Sequence, residues 1–492
     1  MTPLRPAPAT LAAAALGAFC VFGFAPFDAW FAVWPAPTLA LAGLFLLWRA
    51  APNPRQAMWL GLAWGAAFFL CGVSWVYVSL SVFGGMAPPA AAAATLAFCF
   101  YLALFPALAG YVCRRFLVAD PRPIATSLAF AGFWMLTEWL RGTLFTGFPW
   151  LVAGYSQSPP SPLAGWAAVL GVYGVGFVVA LIAALLALAW RRPAAWIVIL
   201  FLLGGGALLR AMDWTQPLGA PLKVSLLQGN VPQSLKWDPR RLPLSIDTYV
   251  GLARAHPAPL LVLPETAIPL YFNEVPRDVL RSLTANGDAL IGVAVSTTDG
   301  GYTNGAVALT PQLAPRAYAK RHLVPFGEYP PPGFAWFFRF ARIPMSDFTA
   351  GPPMQAPLEI AGQRIAPNIC YEDLFGEELL ASLPAATLLV NLSNTAWFGD
   401  SLAQPQHLQI ARLRAIETGR VMLRATNTGM TAMVHPDGSI AAALPPFTTA
   451  ALTVEAQGRS GLTPYARWGN ALALLIALGA CMPALRRKSQ SV

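Results

Sequence analysis

Long apolar stretches crowd the first ~212 residues, and one more lies near the C-terminus. A helix needs roughly 20 mostly apolar residues to cross the hydrocarbon core of a bilayer. The pattern predicts eight such helices, at residues 8–25, 28–48, 57–79, 89–113, 124–141, 163–190, 194–211 and 467–485. No evident cleavage site follows the first stretch and the second begins at once, so we interpret the first as a helix rather than a signal peptide.

From residue 223 the pattern changes to short β-rich runs that alternate with helical stretches. The predicted strands are residues 222–230, 260–266, 289–296, 304–310, 365–370, 387–394, 421–427 and 431–438, and residues 405–419 are predicted to form an amphipathic helix. Apolar strands with helices between them indicate an α/β fold whose sheets are covered on a face. We expect two sheets stacked in an α-β-β-α sandwich.

These patterns divide the chain into three segments. Residues 1–212 are predicted to form a membrane domain with seven transmembrane helices, and residues 213–465 a catalytic domain. Residues 466–492 are predicted to hold the eighth transmembrane helix and a tail.

The basic residues predict how the chain is oriented in the membrane. Those between the helices are Arg49, Arg55, Arg114, Arg115, Arg122, Arg191 and Arg192, and all follow the second, fourth or sixth helix. The C-terminus adds Arg486, Arg487 and Lys488, whereas the other connections carry almost none besides Arg141. Since basic loops stay cytoplasmic, we expect both termini in the cytoplasm. The domain at 213–465 would then lie in the periplasm of a bacterium, attached to the inner membrane.

Composition narrows the possible partners. Only 11% of residues are charged, against roughly 25% in soluble domains. The net charge of +10 is attributed to arginines that face anionic lipid, because no basic cluster interleaves with exposed aromatic residues as a nucleic-acid groove requires. No Cys/His spacing is typical of zinc. We therefore expect no nucleic acid, metal or cofactor, and nothing demands more than a monomer.

Three predicted strand ends carry reactive groups: Glu265, then Lys320 with Glu328, and then Cys370. Cys370 is the one cysteine of the polar segment. At a strand-to-helix turn we expect it to be exposed, with its thiolate favoured by the helix N-terminus. A carboxylate such as Glu265 could take the thiol proton. Lys320 and the backbone N–H of Tyr371 could stabilise an oxyanion.

Each of these residues also has an ordinary interpretation. A single cysteine is usually an inert core residue, and a glutamate or lysine after a strand usually faces water. Residue types and spacing alone leave the question open.

Longer motifs add to these three residues. Glu265 in "LPET", Lys320 in "YAKRHLVPFGEY" and Cys370 in "ICYEDLFG" resemble the Glu-Lys-Cys triad of the nitrilase, or carbon-nitrogen hydrolase, superfamily. Within it, "QGNVPQSLKW" (228–237), "HLVPFGEYPP" and "NLSNTAWFG" (391–399), joined to eight predicted helices, resemble the apolipoprotein N-acyltransferase family.

The resemblance implies that Glu265 is the general base, Lys320 the oxyanion-stabilising cation and Cys370 the nucleophile. It also places Glu328, Glu372, Tyr371 and Trp237 in or near the site; these supporting residues match positions in the family's motifs. The implied reaction moves the sn-1 acyl chain of a phospholipid, in this family phosphatidylethanolamine, onto Cys370. The α-amine of a diacylglyceryl-cysteine at the N-terminus of an apolipoprotein then takes the acyl chain.

Two aromatic segments are candidates for contact with lipid. Residues 331–344, "PPGFAWFFRFARIP", include Trp336, Phe337 and Phe338 beside arginines. As an arm at the bilayer surface this segment would dip aromatic rings into the interface; the alternative is an aromatic strip in the core. "TGFPW" (146–150) contributes Phe148 and Trp150, which could touch the same acyl chain.

Two other functions stay possible on the sequence alone. One is a membrane-anchored amidase that uses the same triad to hydrolyse a carbon–nitrogen bond, with water in place of the amine. The other is a transporter whose external domain only binds. Transporters usually carry ionisable residues within their spans, and Glu138 is the only clear case here.

Overall fold

A computed structural model describes residues 6–27, 34–117, 122–236, 239–310, 315–334 and 347–489. The chain forms two compact units. The first comprises residues 1–77, 89–212 and 467–492, and the second residues 78–88 and 213–466.

The first unit is helical. Its helices are α1 Pro6–Cys20, α2 Ala36–Ala50, α3 Pro54–Val73, α5 Pro88–Phe116, α6 Pro123–Arg141, α7 Ala167–Ala189, α8 Pro193–Arg210 and a final helix, Ala471–Ser489, and the short α4 Val76–Val78 lies where the chain passes into the second unit. Helices thus stand at all eight predicted positions. Within the described residues, four segments are long and apolar enough to cross a membrane: Pro54–Val73, Pro88–Phe116, Pro162–Ala189 and Pro193–Arg210.

Helix starts in this unit follow from local sequence. Prolines stand at the first turn of α3, α6 and α8, where a missing N–H costs nothing. The Asn53 side chain also caps α3 by accepting a hydrogen bond from the Gln56 backbone N–H at 2.9 Å. Between helices, small residues permit close packing. A Cβ on Gly61 would lie 2.3 Å from the Pro106 carbonyl oxygen, so α3 and α5 approach too closely for any side chain there.

The ionisable residues at the end of α6 are structural. Glu138 Oε1 accepts a hydrogen bond from the Ala153 backbone N–H at 2.9 Å. The Arg141 guanidinium donates to the carbonyls of Phe148 at 2.6 Å and Trp150 at 2.7 Å. Both side chains therefore bind the loop after α6, which is consistent with the structural role expected for Glu138.

The second unit is built on two six-stranded sheets. Its strands are β1 Gln216–Pro217, β2 Leu222–Gln228, β3 Leu260–Val262, β4 Asp288–Ser296, β5 Tyr302–Leu309, β6 Arg316–Ala319, β7 Leu358–Ile360, β8 Gln363–Ile369, β9 Leu388–Ser393, β10 Met422–Thr426, β11 Ala432–Val434, β12 Ile440–Ala443, β13 Ala450–Ala456 and β14 Arg459–Ser460. One sheet has the order β13-β2-β3-β4-β5-β6 and the other β12-β11-β10-β9-β8-β7, while β1 and β14 form a separate ribbon. Within these sheets β2, β3 and β4 are parallel neighbours, as are β8, β9 and β10.

Helices cover the outer faces of both sheets. The helices of this unit are α9 Gln233–Lys236, α10 Leu242–Ala255, α11 Arg277–Leu283, α12 Gly376–Leu379, α13 Ala403–Thr418 and α14 Pro464–Trp468. One apolar core lies between the sheets and joins side chains such as Val262 and Leu290 of one sheet to Leu388, Val390 and Leu392 of the other. Separate cores lie under α10 with α11 and under α13. The predicted α-β-β-α sandwich is confirmed for this unit.

Some predicted strand boundaries were wrong. The strand predicted at 260–266 ends at Val262, because the chain turns through Pro264 instead of continuing the ladder. The predicted strands also lacked β1, β7, β12, β13 and β14, and gave no bounds for β6, the strand that ends beside Lys320. β6 and β12 contain no buried residue.

Candidate active site

Glu265 lies in the turn that follows β3. The turn packs against β4 at Gly292, where a Cβ would lie 2.2 Å from the Pro264 carbonyl oxygen and 2.7 Å from Glu265 Cα. The side chain is 7% exposed. Its Oε2 accepts a hydrogen bond from the Asn394 backbone N–H at 2.8 Å. The end of β9 in the other sheet therefore fixes one carboxylate oxygen and leaves Oε1 to face the remaining groups of the site.

Lys320 connects two carboxylates. It follows β6, is 1% exposed, and its Nζ lies 2.9 Å from Glu328 Oε1 and 3.4 Å from Glu265 Oε1. Asn304 on β5 donates from Nδ2 to the same two oxygens, at 2.7 Å for Glu265 and 2.9 Å for Glu328. Burial lowers the pKa of Lys320, but the Glu328 and Glu265 carboxylates raise it more, and the net pKa lies above the ordinary value. The two carboxylates therefore favour the charged form of Lys320 in this cluster.

Cys370 begins a 3-10 helix, Cys370–Leu374, immediately after β8, so the predicted strand-to-helix turn is confirmed. Its backbone has a φ of +52°, a left-handed conformation that non-glycine residues rarely adopt. Such strain persists only where the surroundings fix it, and it concentrates at functional sites.

The expected exposure of this thiol was wrong. Cys370 is 8% exposed. Burial raises its pKa, and the Glu265 carboxylate raises it further, whereas Lys320 lowers it. Burial and the carboxylate both favour the protonated sulfur, against the effect that was expected from the helix N-terminus. A nearby base is therefore needed to take the proton as the sulfur reacts.

Glu372 joins the cysteine turn to the lysine segment. Its Oε2 accepts from the Ile369 backbone N–H at 2.6 Å, one residue before Cys370. Its Oε1 accepts from the Arg321 backbone N–H at 2.7 Å and from the Tyr318 hydroxyl at 2.9 Å. These acceptor contacts bracket Lys320 on both sides. Glu372 therefore holds Cys370 and Lys320 in register across the two sheets.

This arrangement makes the stability contribution of Glu372 depend on pH. Burial raises its pKa from 4.5 to about 7, against the lowering effect of its donors. The folded state therefore holds the proton more tightly than the unfolded chain, so ionised Glu372 costs stability progressively as pH rises from about 4.5 to about 7.

Glu372→Gln should remove that dependence. The melting temperature of the wild type minus that of Glu372→Gln should fall between pH 5 and pH 8, measured in the same detergent. Glu455→Gln, at an exposed position on β13, is the matched control and should track the wild type. A difference that is constant with pH would contradict the assigned burial and contacts.

A second network of buried polar side chains contacts the turn that contains Cys370. Asp373 accepts from Arg424 at 2.7 Å and contacts His407 Nε2 at 2.7 Å, and all three side chains are buried. Arg424 also donates to Asn391 Oδ1 at 3.0 Å, and Asn391 Nδ2 donates to the Cys370 carbonyl at 3.2 Å. The turn is thus fixed by side chains on β9, β10 and α13.

The structure brings Glu265, Lys320, Glu328, Cys370 and Glu372 into one region of the second unit. Tyr371 is 7% exposed, and its ring packs 5.2 Å from that of Phe375 and 5.7 Å from that of His322. Its ring therefore packs against those of His322 and Phe375, next to the turn that contains Cys370.

The structure describes only some of the residues that were predicted to contact lipid. Trp237, Trp336, Phe337 and Phe338 lie outside the described residues. Phe148 and Trp150 belong to the first unit, where their rings stack at 6.1 Å. Their contact with an acyl chain stays a prediction.

Two residues of the site were missed by sequence reasoning. Asn304 is a polar residue inside an apolar strand, which is a signal that could have been noticed, because a buried amide needs polar partners. Lys236 lies within "QSLKW" and donates from Nζ to the Thr266 hydroxyl at 2.5 Å and to the Glu265 carbonyl at 3.3 Å. Lys236 lies 29 residues before Glu265 in the chain, so no short sequence motif indicated that the two residues are in contact.

Protein-family models match both units. The apolipoprotein N-acyltransferase N-terminal domain matches residues 16–185, and carbon-nitrogen hydrolase matches residues 223–465. The second unit therefore has the carbon-nitrogen hydrolase, or nitrilase-like, fold. A solved CN-hydrolase superfamily protein of Xanthomonas campestris, with an arsenic adduct in its active site, is similar at 20% identity and a TM-score of 0.37, over 55% of this chain and 97% of its own.

Relatives match over nearly the whole chain. The apolipoprotein N-acyltransferase of Nitrosomonas europaea is 48% identical over 480 residues, 94% of each chain. That of Ralstonia nicotianae is 45% identical over 495 residues, 97% of this chain and 93% of its own. The chain belongs to the apolipoprotein N-acyltransferase family.

Proposed function

We propose that this chain N-acylates lipoproteins at a bacterial membrane, through an acyl thioester on Cys370. Family membership makes the chain an acyltransferase with lipid and lipoprotein substrates, and it favours this function over the amidase alternative. The observation that carries the chemistry is the buried cluster in which Lys320 bridges Glu265 and Glu328 beside a strained Cys370 turn.

In the first step the Cys370 sulfur attacks the sn-1 ester carbonyl of a phospholipid, and Glu265 accepts the thiol proton. An ammonium has three N–H donors, of which Lys320 directs two at carboxylates. The third can meet the tetrahedral oxyanion, together with the Tyr371 backbone N–H. The C–O bond then breaks, Glu265 returns the proton to the departing alkoxide, and a lysophospholipid leaves.

In the second step the neutral α-amine of a diacylglyceryl-cysteine attacks the thioester carbonyl. Glu265 accepts a proton from the amine, the C–S bond breaks, and that proton returns to the Cys370 thiolate. The thioester keeps the acyl group activated for an amine without a nucleotide, and the enzyme ends the cycle unchanged. We propose phosphatidylethanolamine as the donor and a monomer as the working form.

The membrane helices have a physical purpose in this scheme. Withdrawing an acyl chain from lipid into water costs about 0.8 kcal/mol per CH₂, so a chain of ~16 carbons costs more than ~10 kcal/mol. A thiol that comes to the bilayer avoids this cost. We propose that all eight predicted helices cross the inner membrane, that both termini are cytoplasmic, and that residues 213–465 form the periplasmic catalytic domain.

We propose that residues 331–344 form the arm that admits lipid. Replacing Trp336 and Phe337 together with serine should lower phospholipid turnover about tenfold or more, because two interfacial rings are lost, with little change in melting temperature. Steady-state kinetics over a range of phospholipid in mixed micelles measures this, and the loss should lie mainly in KM. Unchanged acylation by the double variant would refute the arm.

The function is tested by incubating purified protein with an acyl-labelled phospholipid and a diacylated lipopeptide. The label should appear as an amide on the lipopeptide α-amine, and an N-acetylated lipopeptide should receive none. Label released as free fatty acid at the same rate with and without lipopeptide would instead support a hydrolase.

A further inference from the structure

We propose that Lys236 is a positioning residue of this site, which holds the turn at Glu265 and Thr266 so that the carboxylate of the base faces the reacting thiol. The inference rests on the proposed role of Glu265 as that base. Lys236 ends the one-turn helix α9 and is 3% exposed, so its ammonium is buried among the groups of the site.

The turn that Lys236 holds is conformationally strained. Thr266 has a φ of +43°, which for a β-branched residue is a rare and unfavourable conformation. Lys236 Nζ contacts this turn twice, at the Thr266 hydroxyl and at the Glu265 carbonyl, at 2.5 Å and 3.3 Å. The Lys236 side chain therefore binds both Glu265 and Thr266, the two residues whose backbone sets the direction of the Glu265 carboxylate.

The next residue of the turn, Ala267, is held through its backbone. The Ala267 N–H donates to the carbonyl of Gly292 at 2.9 Å. This bond fixes the turn to β4, but it does not set the rotation of the peptide between Glu265 and Thr266. The lysine supplies that constraint, because strain at a site persists only when neighbouring groups define the conformation.

Charge gives Lys236 a second reason to be buried here. The cluster of Glu265, Glu328 and Lys320 contains two carboxylates and one ammonium, a net buried charge of −1. A second ammonium brings this sum to zero, and uncompensated buried charge is costly. The charge of Lys236 is nevertheless conditional: burial lowers its pKa to about 8, although Glu265 and Cys370 act to raise it.

Among the described residues, Glu265 after β3 and Cys370 after β8 act on the charge of Lys236, and Glu265 is in turn paired with Lys320, which also binds Glu328. Lys320 is the cation that acts most directly on the thiol. Lys236 therefore acts mainly through the position of Glu265, and a neutral side chain that keeps the two hydrogen bonds should preserve most of its effect.

Three variants distinguish the hydrogen bonds that Lys236 makes to the turn from its charge and from any effect on folding. Lys236→Met removes the hydrogen bonds and the charge, Lys236→Gln keeps an amide donor without charge, and Lys223→Met is the matched control because Lys223 is exposed on β2. The readout is the rate at which the Cys370 peptide gains the acyl mass from labelled phospholipid, followed from pH 6.5 to 9.5, with melting temperature as the measure of folding.

A displaced base can cost about 100-fold, so Lys236→Met should acylate Cys370 about 100-fold more slowly than the wild type, with KM for phospholipid unchanged. Lys236→Gln should lie within about tenfold of the wild type, and Lys223→Met within about twofold. Between pH 6.5 and 9.5 the wild type and Lys236→Gln should respond to pH alike, because a deprotonated lysine amine still has two N–H groups to donate to the Thr266 hydroxyl and the Glu265 carbonyl.

The proposal is overturned if Lys236→Met matches the wild type, or if Met and Gln reduce the rate equally, since charge alone would then explain the residue. Should Lys236→Met not fold, Thr266→Ala removes the hydroxyl partner instead and should slow acylation about tenfold, while Thr266→Ser should not. Wild-type protein that forms no acyl-Cys370, or Glu265→Gln that forms it normally, would contradict the proposed function itself.

Discussion

Cys370→Ser is expected to abolish acyl transfer, with a loss on the order of 10⁴-fold or more, as is typical when a covalent nucleophile is removed. A serine hydroxyl is a far weaker acid than a thiol, so Glu265 cannot take its proton as the bond to carbon forms. The buried turn should accept serine without loss of folding, because the side chain differs only in one atom. The measurement is transfer of labelled acyl chains to a lipopeptide.

The matched control for this variant is Cys71→Ser, which alters an exposed cysteine of the first unit and should retain wild-type activity. Retention of more than about 1% of activity in Cys370→Ser, with a wild-type melting temperature, would mean that another group forms the covalent bond.

Lys320→Met should damage both catalysis and folding. Removing one oxyanion donor costs about 10²–10³-fold in rate. Removing one partner of a buried ion pair costs about 3–5 kcal/mol in the free energy of unfolding, because the opposite charge is left unpaired. Here two carboxylates, Glu265 and Glu328, would lose their cation. Chemical denaturation and acyl-transfer rate are the two measurements.

The double variant Lys320→Met with Glu328→Gln separates the two effects. It removes one of the stranded charges and should recover a large part of the lost stability, while the acyl-transfer rate stays as low as in the single variant. Lys223→Met, at an exposed position on β2, should change neither quantity. Recovery of activity in the double variant would contradict the role of Lys320 as an oxyanion donor.

Much of the fold could be predicted because its signals are local. The helices of the first unit are long apolar runs started by proline, and the central strands of the second unit are short apolar runs such as β9, whose six residues are all buried. The strands that were missed, such as β1 with its two exposed residues, are stabilised by neighbouring strands and carry no apolar signal of their own.

The site was predicted in its members but not in its electrostatics. Glu265, Lys320 and Cys370 could be selected from motifs, and the structure brings them together. Cys370 is buried because the two sheets pack together around it. The sequence motif alone does not show this packing, so the raised pKa of Cys370 could not be predicted from it. The same holds for Lys236, which reaches Glu265 across 29 residues of chain.

The central claim is that Cys370 carries the acyl group between donor and acceptor. It is tested most directly by peptide mass spectrometry of protein incubated with a phospholipid labelled in its sn-1 chain, with no acceptor present. The peptide that contains Cys370 should gain the mass of the labelled acyl group, and hydroxylamine or a diacylated lipopeptide should remove it. A Cys370 peptide that stays unmodified while label still reaches the lipopeptide would contradict the account.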